Sequence, residues 1–280
     1  MSRFINKLVL LICMPSRMEK ARQAYYSRNI NLAQQAHKDE IIRKAGKREV
    51  FGAAKEQYLA EFVYGAIDGT VTTFAVVAGA TGASLSSVVV IILGFANLIA
   101  DGFSMAVGNF LSERTQMDLI ARERKREEWE IKAVPAGERK EIREIFRRKG
   151  FKGKDLDKAV KIVTSNKKVW VDTMMAEELG LLESTKTPLK TAMATYFGFI
   201  LIGIIPLLAY VFSYFAPFFQ RNTFAIAVVM TLVALFVVGA IKSYVIRVKL
   251  LKSVFETVFI GGAAAAISYY IGFLLKLIVG

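Results

Sequence analysis

The sequence predicts an all-α membrane protein in which five transmembrane helices carry a helical cytoplasmic insert between the second and the third. Two observations of composition favour this fold class. Hydrophobic residues make up 54% of the 280 residues, yet the formal net charge is +14. Lys and Arg are concentrated in residues 1–55 and 114–168, next to long apolar tracts. Basic segments that abut apolar spans are typical of membrane proteins, so we expect a lipid bilayer as partner and no nucleic acid.

A third observation is the length of the apolar tracts, because a helix needs about 20 apolar residues to cross a bilayer. The five tracts are approximately residues 58–82, 85–111, 190–214, 222–243 and 253–278. The loops at 83–84 and 214–221 carry little positive charge, whereas residues 242–252 contain four basic side chains. By the positive-inside rule, the N-terminus, the insert and this last loop lie in the cytosol.

The chain therefore divides into four parts. Residues 1–57 form a basic extension that is predicted to be helical or partly disordered, and residues 58–112 hold the first two transmembrane helices. Residues 113–187 form the insert, whose apolar spacing predicts helices and no strand, and residues 188–280 hold the last three transmembrane helices.

The N-terminal extension offers few functional signals. Its first 14 residues have the apolar length of a signal peptide, but no small-residue cleavage site follows them. We expect an interfacial or poorly ordered N-terminus, or a start codon assigned too far upstream. The single Cys13 excludes internal disulfides, and the single His37 excludes sites that need two histidines. We expect His37 at the protein surface.

Acidic side chains lie in the first two apolar tracts, where a membrane helix should have none. Asp68 follows Glu61 by two helical turns, so both face the same way. A stripe with four-residue spacing runs along the second tract and contains Asn97, Asp101, Met105 and Asn109. An acid at the centre of a bilayer costs about 2.5–3.5 kcal/mol even on the lenient insertion scale. These acids are therefore candidate functional residues.

Two interpretations of this region stay open. Small residues on the same helices permit close backbone packing, with Asp68 hydrogen-bonded to a neighbouring Thr or Asn. They are Gly65, Gly69, Ala96, Ala100, Ser104 and Gly108. Alternatively, the acids line a cation path, in which the Met105 thioether favours Fe²⁺, Mn²⁺ or Co²⁺ over Mg²⁺ and Ca²⁺.

The insert holds a second group of candidate ligands. Glu127 and Glu130 are three residues apart on one predicted helix, and Glu138 and Glu141 are three apart on the next. Met174, Met175 and Glu178 fall within about one turn of the last predicted helix. Taken singly, such glutamates are usually solvated and such methionines usually pack. Together they repeat the carboxylate and thioether chemistry of the membrane stripe.

From about residue 56 to the C-terminus, the sequence resembles the vacuolar iron transporter family. The motifs that carry the resemblance are EFVYGAIDGTVTTFAVVAGATGAS, NLIADGFSMAVGNFLS, REEWEIKAVP, GERKEIREIFRRKGF, VWVDTMMAEELGL and GIIPLL. The resemblance implies five transmembrane helices per subunit, a homodimer with the translocation path between subunits, and an insert that projects into the cytosol.

The resemblance also implies roles for particular residues. Asp68 and Met105 would be the intramembrane metal ligands, Glu61 would lie nearer the cytoplasmic mouth, and Asp101 would support or pack. The cytoplasmic metal cluster would consist of Glu127, Glu130, Glu138, Glu141, Met174, Met175 and Glu178. The chain departs from many members in having Asn109 where they have an acid.

We therefore expect a divalent-metal transporter, not an enzyme, that moves Fe²⁺ out of the cytosol in exchange for protons. Mn²⁺, Co²⁺ and Zn²⁺ are further candidate cargo, and no cofactor is expected. The alternative is a membrane-anchored metal-binding or ferroxidase protein without transport, although the insert lacks the histidines of di-iron Glu-x-x-His sites. A scaffold or channel regulator without a metal role is a third interpretation. The compact length and the lack of an obvious sorting signal favour a prokaryotic cell membrane.

Overall fold

The computed structural model describes residues 21–38 (other than 22 and 26), 54–182, 186–246 and 248–279. Within these ranges all regular secondary structure is helical, which confirms the all-α part of the predicted fold class. Helix α1 (Ile30–Ala36) belongs to the N-terminal unit, and the Asn29 side chain caps it by accepting a hydrogen bond from the Leu32 amide. His37 is exposed, as expected. The predictions for residues 1–14 lie outside the described residues.

The unit formed by residues 54–280 contains five helical segments long and apolar enough to cross a membrane, which confirms the predicted number of spans. The first and second are α2 (Ala54–Gly82) and the apolar half of α3 (Ser87–Ala133). The others are α7 (Pro188–Gly203) with α8 (Ile205–Phe212), α9 (Pro217–Ile246) and α10 (Leu250–Val279).

Helix α3 is longer than any bilayer requires. Its 47 residues extend over about 70 Å at 1.5 Å per residue, more than twice the hydrocarbon thickness. The apolar part runs to Leu111 and contains one charged residue, Asp101, whereas charged residues are frequent from Glu113 onward. We take the first part as the transmembrane segment and the second as a polar extension. The predicted boundary between residues 112 and 113 thus falls inside one continuous helix.

Helix α2 is the centre of the transmembrane bundle, with α7 and α10 packed most extensively against it. Glycines bring the backbones into contact. A Cβ atom on Gly65 would lie 2.1 Å from the Thr195 carbonyl oxygen of α7, and one on Gly272 of α10 would lie 2.0 Å from the Gly79 carbonyl oxygen. Because the backbones touch, α2 is held in a fixed register against two neighbours.

The third span breaks at Ile204, the residue between α7 and α8. Pro206 follows the break and has no amide hydrogen, so it cannot donate to the carbonyl four residues earlier. Beyond the break, Tyr210 is buried, and its hydroxyl lies 2.7 Å from the Thr81 hydroxyl of α2. The buried Tyr210 hydroxyl thereby has a hydrogen-bond partner in otherwise apolar surroundings.

The insert contains α4 (Pro135–Arg148), α5 (Gly153–Thr164) and α6 (Lys167–Glu177), so its helical prediction is confirmed. These helices and the polar half of α3 enclose a hydrophobic core of their own. Its buried members are Ile120, Ile131, Ile142, Ile145, Leu156, Val160, Trp170, Val171, Met174 and Met175. Gly150 and Gly180 have positive φ angles at the ends of α4 and α6, where other residues would be strained. The cytosolic location of the insert stays a prediction.

Candidate metal centre

A cluster of carboxylates lies at the junction of α3 and α4. Glu127, Glu130 and Glu138 each offer one oxygen atom, and these three atoms all lie within 4.8 Å of one another. The junction creates the cluster, because α3 ends at Ala133 and Pro135 starts α4 in a new direction. Glutamates from the last turns of one helix and the first turn of the next are thereby brought together.

The cluster combines burial with incomplete pairing. The exposed fraction is 1% for Glu127 and 5% for Glu138, and one carboxyl oxygen of each is buried without a hydrogen-bond partner among the described residues. Arg126 supplies a counter-charge, with guanidinium nitrogens 2.9 Å from Glu127 Oε1 and 3.5 Å from Glu130 Oε2. Unpaired buried carboxyl oxygens are costly, and a bound cation would satisfy them.

Electrostatics joins two more glutamates to this cluster. Burial, followed by the charge of Glu178, raises the pKa of Glu127 to about 7, although Arg126 opposes the rise. Burial, followed by the charge of Glu141, raises the pKa of Glu138 to about 7. The pKa of Glu178 itself is raised by burial and then by Glu141. The fold therefore brings together all five glutamates that the sequence singled out in the insert.

The two methionines of the insert belong to its hydrophobic core and are not among the residues of the carboxylate cluster. Met174 and Met175 are both fully buried in the hydrophobic core of the insert, next to Trp170 and Val171. Packing is therefore the role that the structure gives them. Their role as thioether ligands, which the resemblance implied, stays a prediction.

In the membrane region, Asp68 on α2 and Met105 on α3 are both partly buried, and Met105 packs against the core of the bundle. Asp101 lies close enough to Asp68 for the two charges to interact. The sequence interpretation gave Asp101 only a supporting role, although the four-residue stripe had drawn attention to it. The position of Asp101 makes it a candidate member of the intramembrane site.

Other members of the stripe have different surroundings. The side-chain amide of Asn109 donates a hydrogen bond of 2.7 Å to the Thr195 hydroxyl, so it joins α3 to α7. The side-chain amide nitrogen of Asn97 is buried and has no partner in the part of the chain that the structure describes. Asn109 therefore acts as a contact between α3 and α7.

The small residues of α3 that the sequence singled out do not face the helix bundle of their own chain. Ala96, Ala100, Ser104 and Gly108 are exposed in the single chain. The side of α3 that packs against the bundle is a buried stripe with four-residue spacing. It consists of Gly94, Leu98, Gly102 and Ala106. By contrast, Gly65 and Gly69 of α2 do contact α7. Close packing is therefore found for the small residues of α2, whereas packing of the α3 stripe against a second subunit stays a prediction.

At the end of the first two spans nearest the insert, Glu61 accepts a hydrogen bond of 2.9 Å from the Lys186 ammonium. The same ammonium lies 3.6 Å from Glu113 Oε1, and the adjacent Thr187 amide donates to the Tyr58 hydroxyl. Sequence reasoning identified Glu61 but neither Glu113 nor Lys186. Both are separated from Glu61 along the chain, and no motif spacing connects them.

Sequence comparison places this architecture among known proteins. A family model described as the VIT family matches residues 59–273. The chain belongs to the VIT family. A vacuolar iron transporter of Toxoplasma gondii is 34% identical over 272 residues, which cover 94% of this chain and 90% of the relative. One of Plasmodium falciparum is 33% identical over 263 residues, covering 92% and 96%. Vacuolar iron transporter 1 of Arabidopsis thaliana is 37% identical over 210 residues, covering 75% and 82%.

Membership of the VIT family confirms the resemblance seen in the sequence motifs and agrees with the expectation that the chain is not an enzyme. The apolar helices and the transporter relatives together make this VIT-family chain an integral membrane protein. The relatives named above come from apicomplexans and a plant, so the expectation of a prokaryotic cell membrane is not borne out. Compact length was a poor guide, because these eukaryotic relatives align over most of their own length.

Proposed function

We propose that this VIT-family chain transports Fe²⁺, with Mn²⁺ as a second cargo, out of the cytosol in exchange for protons. The observation that carries the proposal is the half-satisfied carboxylate cluster at Glu127, Glu130 and Glu138. It occurs in a chain whose relatives are named vacuolar iron transporters. The vacuolar location in the names of these relatives favours a vacuole-type organelle as the destination of the metal.

The cluster in the insert collects metal from the cytosol. Carboxylate oxygens bind divalent cations well, and the burial of Glu127 and Glu138 keeps competing water away. A metal ion must displace the protons that these carboxyls hold near neutral pH, since ligands bind metals in their deprotonated form. Met174 and Met175 would contribute thioether ligands by turning out of the core, and softer ligands favour Fe²⁺ over Mg²⁺.

The membrane step uses Asp68, Met105 and Asp101. A carboxylate can hold a metal ion or a proton but not both, so these acids can exchange a departing metal for an incoming proton. The electrostatic interaction between Asp68 and Asp101 favours a bound divalent cation, because two neighbouring negative charges repel each other when both are empty. Asn109 is hydrogen-bonded to Thr195, so metal binding and proton exchange fall to the two aspartates.

The proposal includes a homodimer with the path between subunits. Support comes from the exposed stripe of Ala96, Ala100, Ser104 and Gly108 on α3. Small residues at four-residue spacing allow a second helix to approach closely within a membrane. The stripe neighbours Asp101 and Met105 along α3, so a partner helix there would complete the surroundings of the intramembrane ligands.

The ferroxidase alternative has less support. The sequence has one histidine, His37, and it lies outside the insert. Di-iron helical proteins instead take Glu-x-x-His pairs from two helices. Within the described insert, the cluster offers carboxylates with an arginine in contact, an arrangement that suits reversible binding better than oxygen chemistry.

Uptake of Fe²⁺ into proteoliposomes under a pH gradient tests the proposal. The wild-type protein is expected to accumulate Fe²⁺ inside the liposomes when their interior is acidic, because protons then leave as Fe²⁺ enters. Collapse of the pH gradient should abolish this accumulation. Asp68→Asn keeps the shape of the side chain but removes the charge, and uptake should fall to the background of empty liposomes. The matched control is Asp118→Asn, an exposed aspartate paired with Arg114 on the polar half of α3. Uptake by Asp68→Asn at the wild-type rate would contradict the mechanism.

A further inference from the structure

The Lys186 side chain lies between two carboxylates, those of Glu61 and Glu113, at the entrance of the proposed path. Glu61 belongs to α2, Glu113 to the start of the polar half of α3, and Lys186 to the segment that leads into α7. The Lys186 ammonium lies 2.9 Å from Glu61 Oε1 and 3.6 Å from Glu113 Oε1. Three separate parts of the chain thus meet at one positive charge.

The pair of acids is well enclosed and incompletely neutralised. Their side chains are 18% and 15% exposed, and Glu113 Oε2 is buried without a hydrogen-bond partner among the described residues. One ammonium group opposite two carboxylates leaves a net charge of about −1 if both acids are ionised. A divalent cation in the same place would neutralise the pair and supply a partner for the orphaned oxygen.

The lysine itself is able to leave. Its side chain is 31% exposed, so a rotation about its flexible stem brings the ammonium into water, where it is strongly hydrated. Its covalent attachment nevertheless keeps it beside the carboxylates, where it donates to Glu61 a hydrogen bond that an alkali cation cannot make. A free monovalent cation competes poorly with such a group, whereas a divalent cation gains roughly twice the Coulomb attraction.

We propose that Lys186 is a tethered competing cation that a divalent metal must displace from Glu61 and Glu113 on its way to Asp68. This inference rests on the proposed function, because it assumes that metal passes Glu61. Lys186 then sets the metal concentration needed for transport and excludes monovalent cations from the entrance. Glu113 is assigned to the entrance site together with Glu61.

Transport kinetics separate this role from a structural one. In proteoliposomes, Lys186→Met is expected to lower the KM for Mn²⁺ by about threefold to fivefold, the factor that corresponds to losing a partly exposed ion pair. About 150 mM K⁺ should not affect Mn²⁺ transport by the wild type but should competitively inhibit transport by Lys186→Met.

Two variants serve as controls. Lys186→Arg keeps a permanent charge and should keep the wild-type KM. Lys190→Met removes an exposed lysine from the first turn of α7 and is the matched control. An unchanged or raised KM in Lys186→Met would overturn the inference.

A binding measurement distinguishes failure of the inference from failure of the proposed function. Mn²⁺ binding to the full chain is measured by electron paramagnetic resonance in a Glu127→Gln/Glu138→Gln background, which removes the cluster in the insert. Adding Lys186→Met should tighten the remaining binding by a similar factor. If the wild type does not transport Mn²⁺ but this tightening is found, the proposed function fails and the competing role stands. If binding is not tightened, the competing role fails whatever the transport result. Should Lys186→Met fold poorly, Lys186→Gln retains a hydrogen-bond donor for Glu61 and replaces it in both assays.

Discussion

Glu127 and Glu138 are buried carboxyl groups whose full set of partners is lacking in the described chain. The sequence predicted that each belongs to a pair of glutamates three residues apart, because helical spacing is readable from the chain. It predicted neither their burial nor the contact with Arg126. In a helix rich in Arg and Lys, a glutamate pattern indicates a solvated face. Burial arises from the folded insert, in which α4 and α6 both pack against the polar half of α3.

Binding of metal to the cluster in the insert should strengthen steeply as pH rises through neutrality. Both carboxyls have a pKa raised to about 7, so each holds a proton at pH 6 that a metal must displace, and each is ionised at pH 8. The apparent Kd should therefore fall between those pH values by up to about 100-fold, a factor of about 10 for each carboxyl. Titration of the detergent-solubilised protein with Mn²⁺ at several pH values measures this.

The control for this titration is Glu127→Gln/Glu138→Gln, in which any remaining Mn²⁺ binding belongs to other sites. Subtraction of that signal isolates the cluster. A Kd that stays constant between pH 6 and pH 8 would show that the carboxyls are already ionised in the native protein. Glu144→Gln, on an exposed acid of α4 paired with Arg147, should leave the titration unchanged.

At the scale of the helices, hydropathy predicted which segments span the membrane but not which side of each helix faces inward. Uniformly apolar helices carry no polar face from which orientation could be read. On α3 the small residues at positions 96 and 100 seemed suited to packing, yet the neighbouring stripe through Gly94 and Gly102 faces the bundle. The contact partners of a glycine decide this question, and they are a property of the folded bundle.

The contact between α2 and α7 should tolerate no side chain at Gly65. A Cβ atom there would lie 2.1 Å from the Thr195 carbonyl oxygen, and a backbone atom cannot move aside as a flexible side chain can. Gly65→Ala is therefore expected to destabilise the bundle by about 1–3 kcal/mol or more, as overpacking does in other cores. The Tm of the purified protein in detergent should fall by several degrees.

The matched control for this contact is Gly262→Ala on α10. This glycine also lies in a transmembrane helix, but none of the described residues comes within 4 Å of a Cβ atom placed there. Alanine should therefore be neutral or slightly stabilising, since it favours the helix over glycine by about 1 kcal/mol. Equal losses of Tm in the two variants would mean that the register of α2 against α7 differs from the one described.

At the scale of the whole molecule, α3 connects the two groups of candidate ligands. Met105 lies in its apolar half and Glu127 in its polar half, about 33 Å apart along the axis at 1.5 Å per residue. One continuous helix therefore carries ligands in the membrane and ligands in the insert. Displacement of the insert on metal binding would be transmitted directly to the membrane segment, because no loop intervenes between them.

The outward face of α3 should be the contact between two subunits. Its small residues leave room for a second α3 to approach closely, and close approach in a membrane gains packing that lipid tails do not provide. In a Cys13→Ser background, which removes the only native cysteine, Ser104→Cys should form a disulfide-linked dimer in native membranes under mild oxidation. The matched control, Val233→Cys on an exposed position of α9, should stay monomeric under the same conditions. Cross-linking at Val233 but not at Ser104 would place the subunit contact on α9 and separate it from Asp101 and Met105.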